Sequence, residues 1–286
     1  MMRHLGTSGL LAGAAFLAGC AVEALPAVDL EDTAAAVDEL STDNALNANA
    51  LNANALYANT LNANALNANA LNANALSSGA LAAIRDPGPA GALSRQLLKY
   101  TVSCALSSSQ SFTFSWTDSG NVVHNENYPG WLGIQPIWAI QPLGSSGKQM
   151  VSACLISRVN YYGVQVIISA RSMISPLKTL VGSSELQMYP HIEGAFWGNL
   201  FSATPYAYSC YNESNASISR GSKRDCATGH ANTDGTVSSC GIINRVGECK
   251  SVCPKINGAG QYYQSCVAQP GVSSSTTAYV ITTALP

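Results

Sequence analysis

The clearest pattern of apolar and polar positions is a leucine every five residues, at Leu46, Leu51, Leu56, Leu61, Leu66, Leu71, Leu76 and Leu81, mostly inside the unit Leu-Asn-Ala-Asn-Ala. A period of five fits neither regular element. On a helix each leucine advances by about 140°, so no face collects them. On a flat strand an odd period throws alternate leucines to opposite faces. If the chain turns a corner every five residues and stacks its coils, all the leucines face inward and the asparagines stack in hydrogen-bonded ladders. The competing reading is a flexible, low-complexity spacer, because alanine and asparagine bury little and about two coils fall short of a stable solenoid. Either way, residues 44–81 act as a tether.

Further along, the pattern becomes that of a folded domain. Phe112, Phe114 and Trp116 alternate with polar residues, which predicts a half-buried strand. Asp118-Ser119-Gly120-Asn121 then supplies turn chemistry, and Val122 to Tyr128 returns as the second arm of a hairpin. Val151, Cys154, Leu155, Arg158 and Val159 follow helical spacing, so a helix is expected over about 149–159. Val164 to Ser169, Gln261 to Ala268 and Tyr279 to Thr283 are rich in β-branched and aromatic residues and read as strands. The fold class is α+β or mainly β, in a single outer domain over 97–286. A linker at 82–96 is expected from Arg85-Asp86-Pro87-Gly88-Pro89-Ala90-Gly91, because prolines and glycines break regular structure.

The amino terminus sets the compartment. Residues 1–19 carry Arg3 and His4 and then a small-residue apolar run, too short for a spanning helix and shaped like a secretory signal. Leu17-Ala18-Gly19-Cys20 resembles the lipobox of bacterial lipoproteins. That resemblance implies cleavage before Cys20, acylation there, and a membrane partner held through the lipid anchor. Each buried CH₂ contributes about 0.8 kcal/mol, so several chains hold far better than one. The next residue is Ala21 rather than the Asp that signals inner-membrane retention in that family, so the resemblance favours the outer membrane. Residues 20–43 read as an acidic, alanine-rich tether. The leucine tract resembles pentapeptide-repeat β-helices in period, although Ala, or Thr60 once, precedes each Leu where that family has Asn or Asp. It is also similar to Leu-Asn-Ala-Asn arrays in secreted lipoproteins of soil bacteria, a likeness that carries no activity.

Charge adds little. The net charge is −2, and eight acids against eleven bases in 96–286 make a mild excess far from a nucleic-acid signature. No nucleic-acid partner is expected.

Cysteine changes the picture more. With Cys20 lipidated, Cys104, Cys154, Cys210, Cys226, Cys240, Cys249, Cys253 and Cys266 remain, an even set in an oxidising compartment, and four disulfides follow. The pairing stays open among about 105 connectivities. Zinc ligation by Cys240, Cys249, Cys253 and Cys266 is the rival, but the spacing lacks paired Cys-x-x-Cys motifs.

No catalytic motif appears: neither a Gly-x-Ser-x-Gly elbow, nor a His-Glu-x-x-His helix, nor a phosphate-binding glycine loop. No cofactor or metal is expected. His124 lies near Asp118 and Glu126, His191 near Glu193, and His230 near Asp234, so each has a carboxylate within a few residues. Asn232-Thr233-Asp234-Gly235 reads as a turn more readily than as a calcium loop. Arg220, Lys223 and Arg224 form a basic group suited to an acidic polysaccharide or headgroup.

Aromatic rings are the better lead. Trp131 and Trp138 stand in the loop-like run Tyr128 to Trp138 and are the preferred exposed stacking candidates for a polysaccharide or surface protein. Three functions follow in order: an outer-membrane lipoprotein with a non-enzymatic binding domain, a secreted hydrolase using His124 or His230 with a carboxylate, and a structural protein self-associating through its repeat.

Overall fold

The structure is a computed structural model that describes residues 46–47, 78–179, 181–257 and 261–286. The signal sequence, Cys20, the acidic tether and most of the repeat lie outside those residues. At the start of the repeat, Leu46–Asn47 pairs in parallel with Val159–Asn160.

The span expected as a linker is helical. Helix α1 covers Ser78–Arg85, so it begins inside the leucine tract, and helix α2 covers Pro89–Ala105. The prolines and glycines separate two helices rather than forming a tether. Pro89 stands in the first turn of α2, where its missing N–H costs nothing. Arg95, on α2, donates from Nη1 to the carbonyls of Ile84 and Asp86 at 2.9 and 2.8 Å, satisfying the open end of α1. Ala80 and Ile84 join Leu97 and Leu98 in the core, which fixes α1 against α2.

The run from Gly130 to Gln135 closes the other end of α2. A helix leaves its last four carbonyls without helical partners. Leu132 N donates to Ser103 O, Ile134 N to Cys104 O, Gln135 N to Ala105 O, and both Trp131 N and Gly133 N to Leu106 O. A segment that reads as a loop in sequence is therefore a backbone cap. The hairpin forms as its alternation predicts, with Ser111–Thr117 antiparallel to Val123–Pro129 and Phe114 opposite Glu126. Helix α3 occupies Ser145–Ser157, starting four residues earlier than expected from the sequence and ending two earlier.

A five-stranded sheet organises the remainder, in the order Ile243–Glu248, Tyr206–Tyr211, His191–Asn199, Ile281–Leu285, Ser169–Arg171. Alternate residues of the central His191–Asn199 strand serve two cores. Phe196 faces α2, α3 and the hairpin with Val151, Leu155 and Ile281. Ala195 and Trp197 face the three-stranded sheet of Lys255–Ile256, Tyr263–Gln269 and Ser273–Thr277. The domain is mixed α+β. The strands expected near 261–268 and 279–283 form at Tyr263–Gln269 and Ile281–Leu285. The strand expected at 164–169 does not form there: 163–168 is irregular, and a three-residue strand, Ser169–Arg171, pairs with Ile281–Leu285 at the edge of the sheet.

All eight cysteines expected in disulfides are paired, as Cys104–Cys154, Cys210–Cys249, Cys226–Cys240 and Cys253–Cys266. Cys240, Cys249, Cys253 and Cys266 are therefore distributed over three bridges rather than gathered round a zinc ion. Among the described residues no helix is long and apolar enough to cross a membrane.

Candidate functional site

The Tyr206–Tyr211 and Ile243–Glu248 strands run parallel, so the chain between them must cross over. That crossover carries Asp225 and His230. Arg224, just before Asp225, is fully buried against Glu193 of the central strand, and Cys226, just after it, is bridged to Cys240. Asp225 thus sits between two anchored neighbours. Its carbonyl accepts from Gly229 N at 2.6 Å, and Gly229 takes φ +80°, a left-handed conformation that turns His230 back over the carboxylate. A Cβ on Gly229 would stand 2.3 Å from Val237 Cγ1.

His230 Nδ1 lies 2.7 Å from Asp225 Oδ2. A carboxylate only accepts, so Nδ1 donates the hydrogen of this bond and Nε2 lies at the far side of the ring. The Tyr162 hydroxyl donates to the same Oδ2 at 3.0 Å. Asp225 is 3% exposed and its Oδ1 is buried with no partner, whereas the His230 side chain is 21% exposed. An unpartnered buried carboxylate oxygen is costly, and such groups recur where function retains them. Desolvation, followed by the hydrogen bond to Asp225, pushes the Tyr162 phenol above its ordinary pKa, so it remains a neutral donor.

The rings complete the cluster. Tyr161 stacks on His230 with centroids 3.9 Å apart and planes 9° apart, and Tyr162 meets both edge-on. Tyr161 is 38% exposed and Tyr162 44%, so this aromatic face is open to solvent. Asn160 fixes its base, accepting from Tyr162 N at 2.8 Å and donating to Lys223 O at 3.0 Å. Lys223 has φ 58°, uncommon for a residue with a side chain and a mark of local strain.

A groove of about 500 Å³ is lined by Val164, Val166, Ile167, Lys223 and Pro286 among others. Along the chain, its lining comes within two residues of Tyr162 on one side and of Asp225 on the other.

The residues singled out in the sequence fare differently. Trp138 is 1% exposed, a residue of the same core as Leu143 and Ile134, and cannot stack on a ligand. Trp131 is half-buried, held by the cap on α2. Arg224 leaves the expected basic surface group: its Nη2 and Nε reach Glu193 at 3.1 and 3.3 Å, and it also donates to the carbonyls of Val159 and Ser157. His230 pairs with Asp225 rather than Asp234, whose Oδ1 closes the 232–236 turn on Thr236 N at 2.9 Å. His124 does meet Asp118, at 2.9 Å, but its ring is flattened against Trp116. Glu193 belongs to Arg224 and not to His191. Tyr161 and Tyr162 belong to the ring-rich set of the sequence, but nothing local joins them to Asp225. Asp225 lies 63 residues beyond Tyr162, and the only local signal is the adjacency of two tyrosines before a glycine.

Among the described residues no cluster of three or more His, Cys, Asp or Glu side chains is placed to hold a metal ion. Comparison with protein-family models, with curated proteins and with solved structures yields no match.

Proposed function

We propose that the protein is a lipid-anchored outer-membrane protein, attached through Cys20 and spaced by its leucine repeat, whose outer domain binds extracellular polysaccharide. The observation that carries the binding part is the exposed face made by Tyr161, stacked on His230, and Tyr162, edge-on to both. Flat rings present C–H-complementary faces to sugars and lose little rotamer freedom on binding. The pair takes the role that the sequence assigned to Trp131 and Trp138. Anchoring is supported by the lipobox-like Leu17-Ala18-Gly19-Cys20, and export by four disulfides.

The test uses the whole chain with Cys20→Ser to keep it soluble. It should co-sediment with insoluble cell-wall or matrix polysaccharide, and Tyr161→Ala should lower the association constant about tenfold, the loss of one stacking contact worth roughly 1–1.5 kcal/mol. Wild-type Cys20 should direct the protein to membranes and Cys20→Ser should release it. Binding to envelope protein but to no polysaccharide would replace the glycan by a protein partner.

A further inference from the structure

The aromatic face accounts for the exposed rings but leaves the buried Asp225 carboxylate, held against the partly exposed His230 ring, without a role. We propose that Asp225 and His230 form a general-base pair that activates water for hydrolysis of small acyl esters seated in the groove, an inference that rests on the groove being the ligand site.

The chemistry follows from positions already given. Asp225 Oδ2 holds Nδ1–H at 2.7 Å, which fixes the tautomer and offsets the charge of the imidazolium that forms. Among the described residues the bonds of His230 are made through Nδ1, and the ring is partly open to solvent. Tyr162 gives its hydrogen to the same carboxylate oxygen and orients it. Arg224 and the Cys226–Cys240 bridge, flanking the carboxylate, keep the pair in place without substrate, the preorganisation that a base requires.

In the reaction, Nε2 takes a proton from water as the water oxygen bonds to the ester carbonyl carbon. The carbonyl π pair moves to its oxygen, giving a tetrahedral alkoxide. On collapse the bond to the alcohol oxygen breaks, and the alcohol departs with the proton held on Nε2. One water is consumed, an acid and an alcohol are formed, and the imidazole is regenerated with no change in oxidation state. Lys223, on the groove wall and two residues before Asp225, is the cation assigned to oppose the alkoxide charge. Val164, Val166, Ile167 and Pro286 make that wall apolar enough for a short acyl or aryl group.

The experiment measures hydrolysis of 4-nitrophenyl acetate and butyrate by the whole Cys20→Ser chain, with polysaccharide co-sedimentation measured on the same samples. His230→Ala should lower kcat/KM by about 10²-fold or more, and added imidazole should restore part of the rate, which a merely structural loss would not allow. Asp225→Asn should lower kcat with KM little changed, marking it as a positioning residue. Because that position is buried, circular dichroism must first show the variant folded, and His230→Ala serves if it is not. Hydrolysis that persists undiminished in His230→Ala, or is lost there without imidazole rescue, overturns the assignment. Sedimentation without hydrolysis of either ester refutes the activity and leaves the binding reading intact. Hydrolysis without sedimentation sinks the polysaccharide reading alone.

Discussion

Arg224 Nη2 and Glu193 Oε2 meet at 3.1 Å with both side chains fully buried, and Arg224 is the residue that leads into Asp225. The pair links the central strand to the crossover that carries the candidate site. Each charge has further partners: Thr283 Oγ1 donates to Glu193 Oε2 at 2.8 Å, and Val159 and Ser157 carbonyls accept from Arg224. Removing one partner leaves the other charge stranded, which costs about 3–5 kcal/mol. Arg224→Met should therefore lower the urea midpoint sharply, while Arg224→Met with Glu193→Leu should recover much of the loss. Equal destabilisation by the single and double changes would contradict this account of the pair.

Trp138 separates packing from binding. Trp138→Ala removes a buried ring and should cost about 3–5 kcal/mol in denaturant unfolding. Polysaccharide binding by the folded fraction should be unchanged. A stable variant that loses binding would return Trp138 to the site.

The disulfides should differ in their contributions. Cys104–Cys154 closes a separation of 50 residues and joins α2 to α3, whereas Cys253–Cys266 closes 13. On the chain-entropy view the first contributes about 4 kcal/mol and the second about 3. Paired Cys→Ala changes at each bridge, compared by urea unfolding, should rank in that order.

Gly194 lies where two strands approach closely. A Cβ there would stand 2.1 Å from the Cys210 carbonyl oxygen, and backbone cannot yield as a flexible side chain can. Gly194→Ala should destabilise by roughly 1–3 kcal/mol, as overpacking does. Thermal unfolding measures it, and a neutral result would show that the strands can separate.

The hairpin turn should loosen in acid. The hydrogen bond from His124, then that from Val122 N, holds the Asp118 carboxyl below its ordinary value of 3.8. A depressed folded value means that the support is fully present above 3.8 and fades as pH falls through the lowered one. Trp116, stacked on His124 at 4.4 Å, reports this through its fluorescence. The acid transition should vanish in Asp118→Asn.

What the sequence made legible was local. Alternation at Phe112, Phe114 and Trp116 gave the hairpin, because one face of a short antiparallel ribbon is buried and the other is not. An even cysteine count gave four bridges, but their pairing depends on which strands adjoin, and that is a long-range fact. The helical character of 82–96 was hidden because Pro87-Gly88-Pro89 reads as a breaker, whereas Pro89 opens α2. Trp138 looked exposed beside prolines and glycines, yet the backbone bonds that cap α2 pull its loop inward. Arg224 read as surface because its neighbours Arg220 and Lys223 are exposed, and its partner Glu193 is 31 residues distant. The site itself joins Tyr162 to Asp225 across 63 residues, which no local pattern encodes.

The central claim is that ligand is met at Tyr161, Tyr162 and His230. Hydrogen–deuterium exchange of the whole Cys20→Ser chain, with and without a soluble polysaccharide that competes in sedimentation, tests it most directly. Slower exchange confined to 160–167 and 222–231 on adding ligand is the result expected. Protection at 128–138 instead, or none anywhere while binding persists, would contradict it.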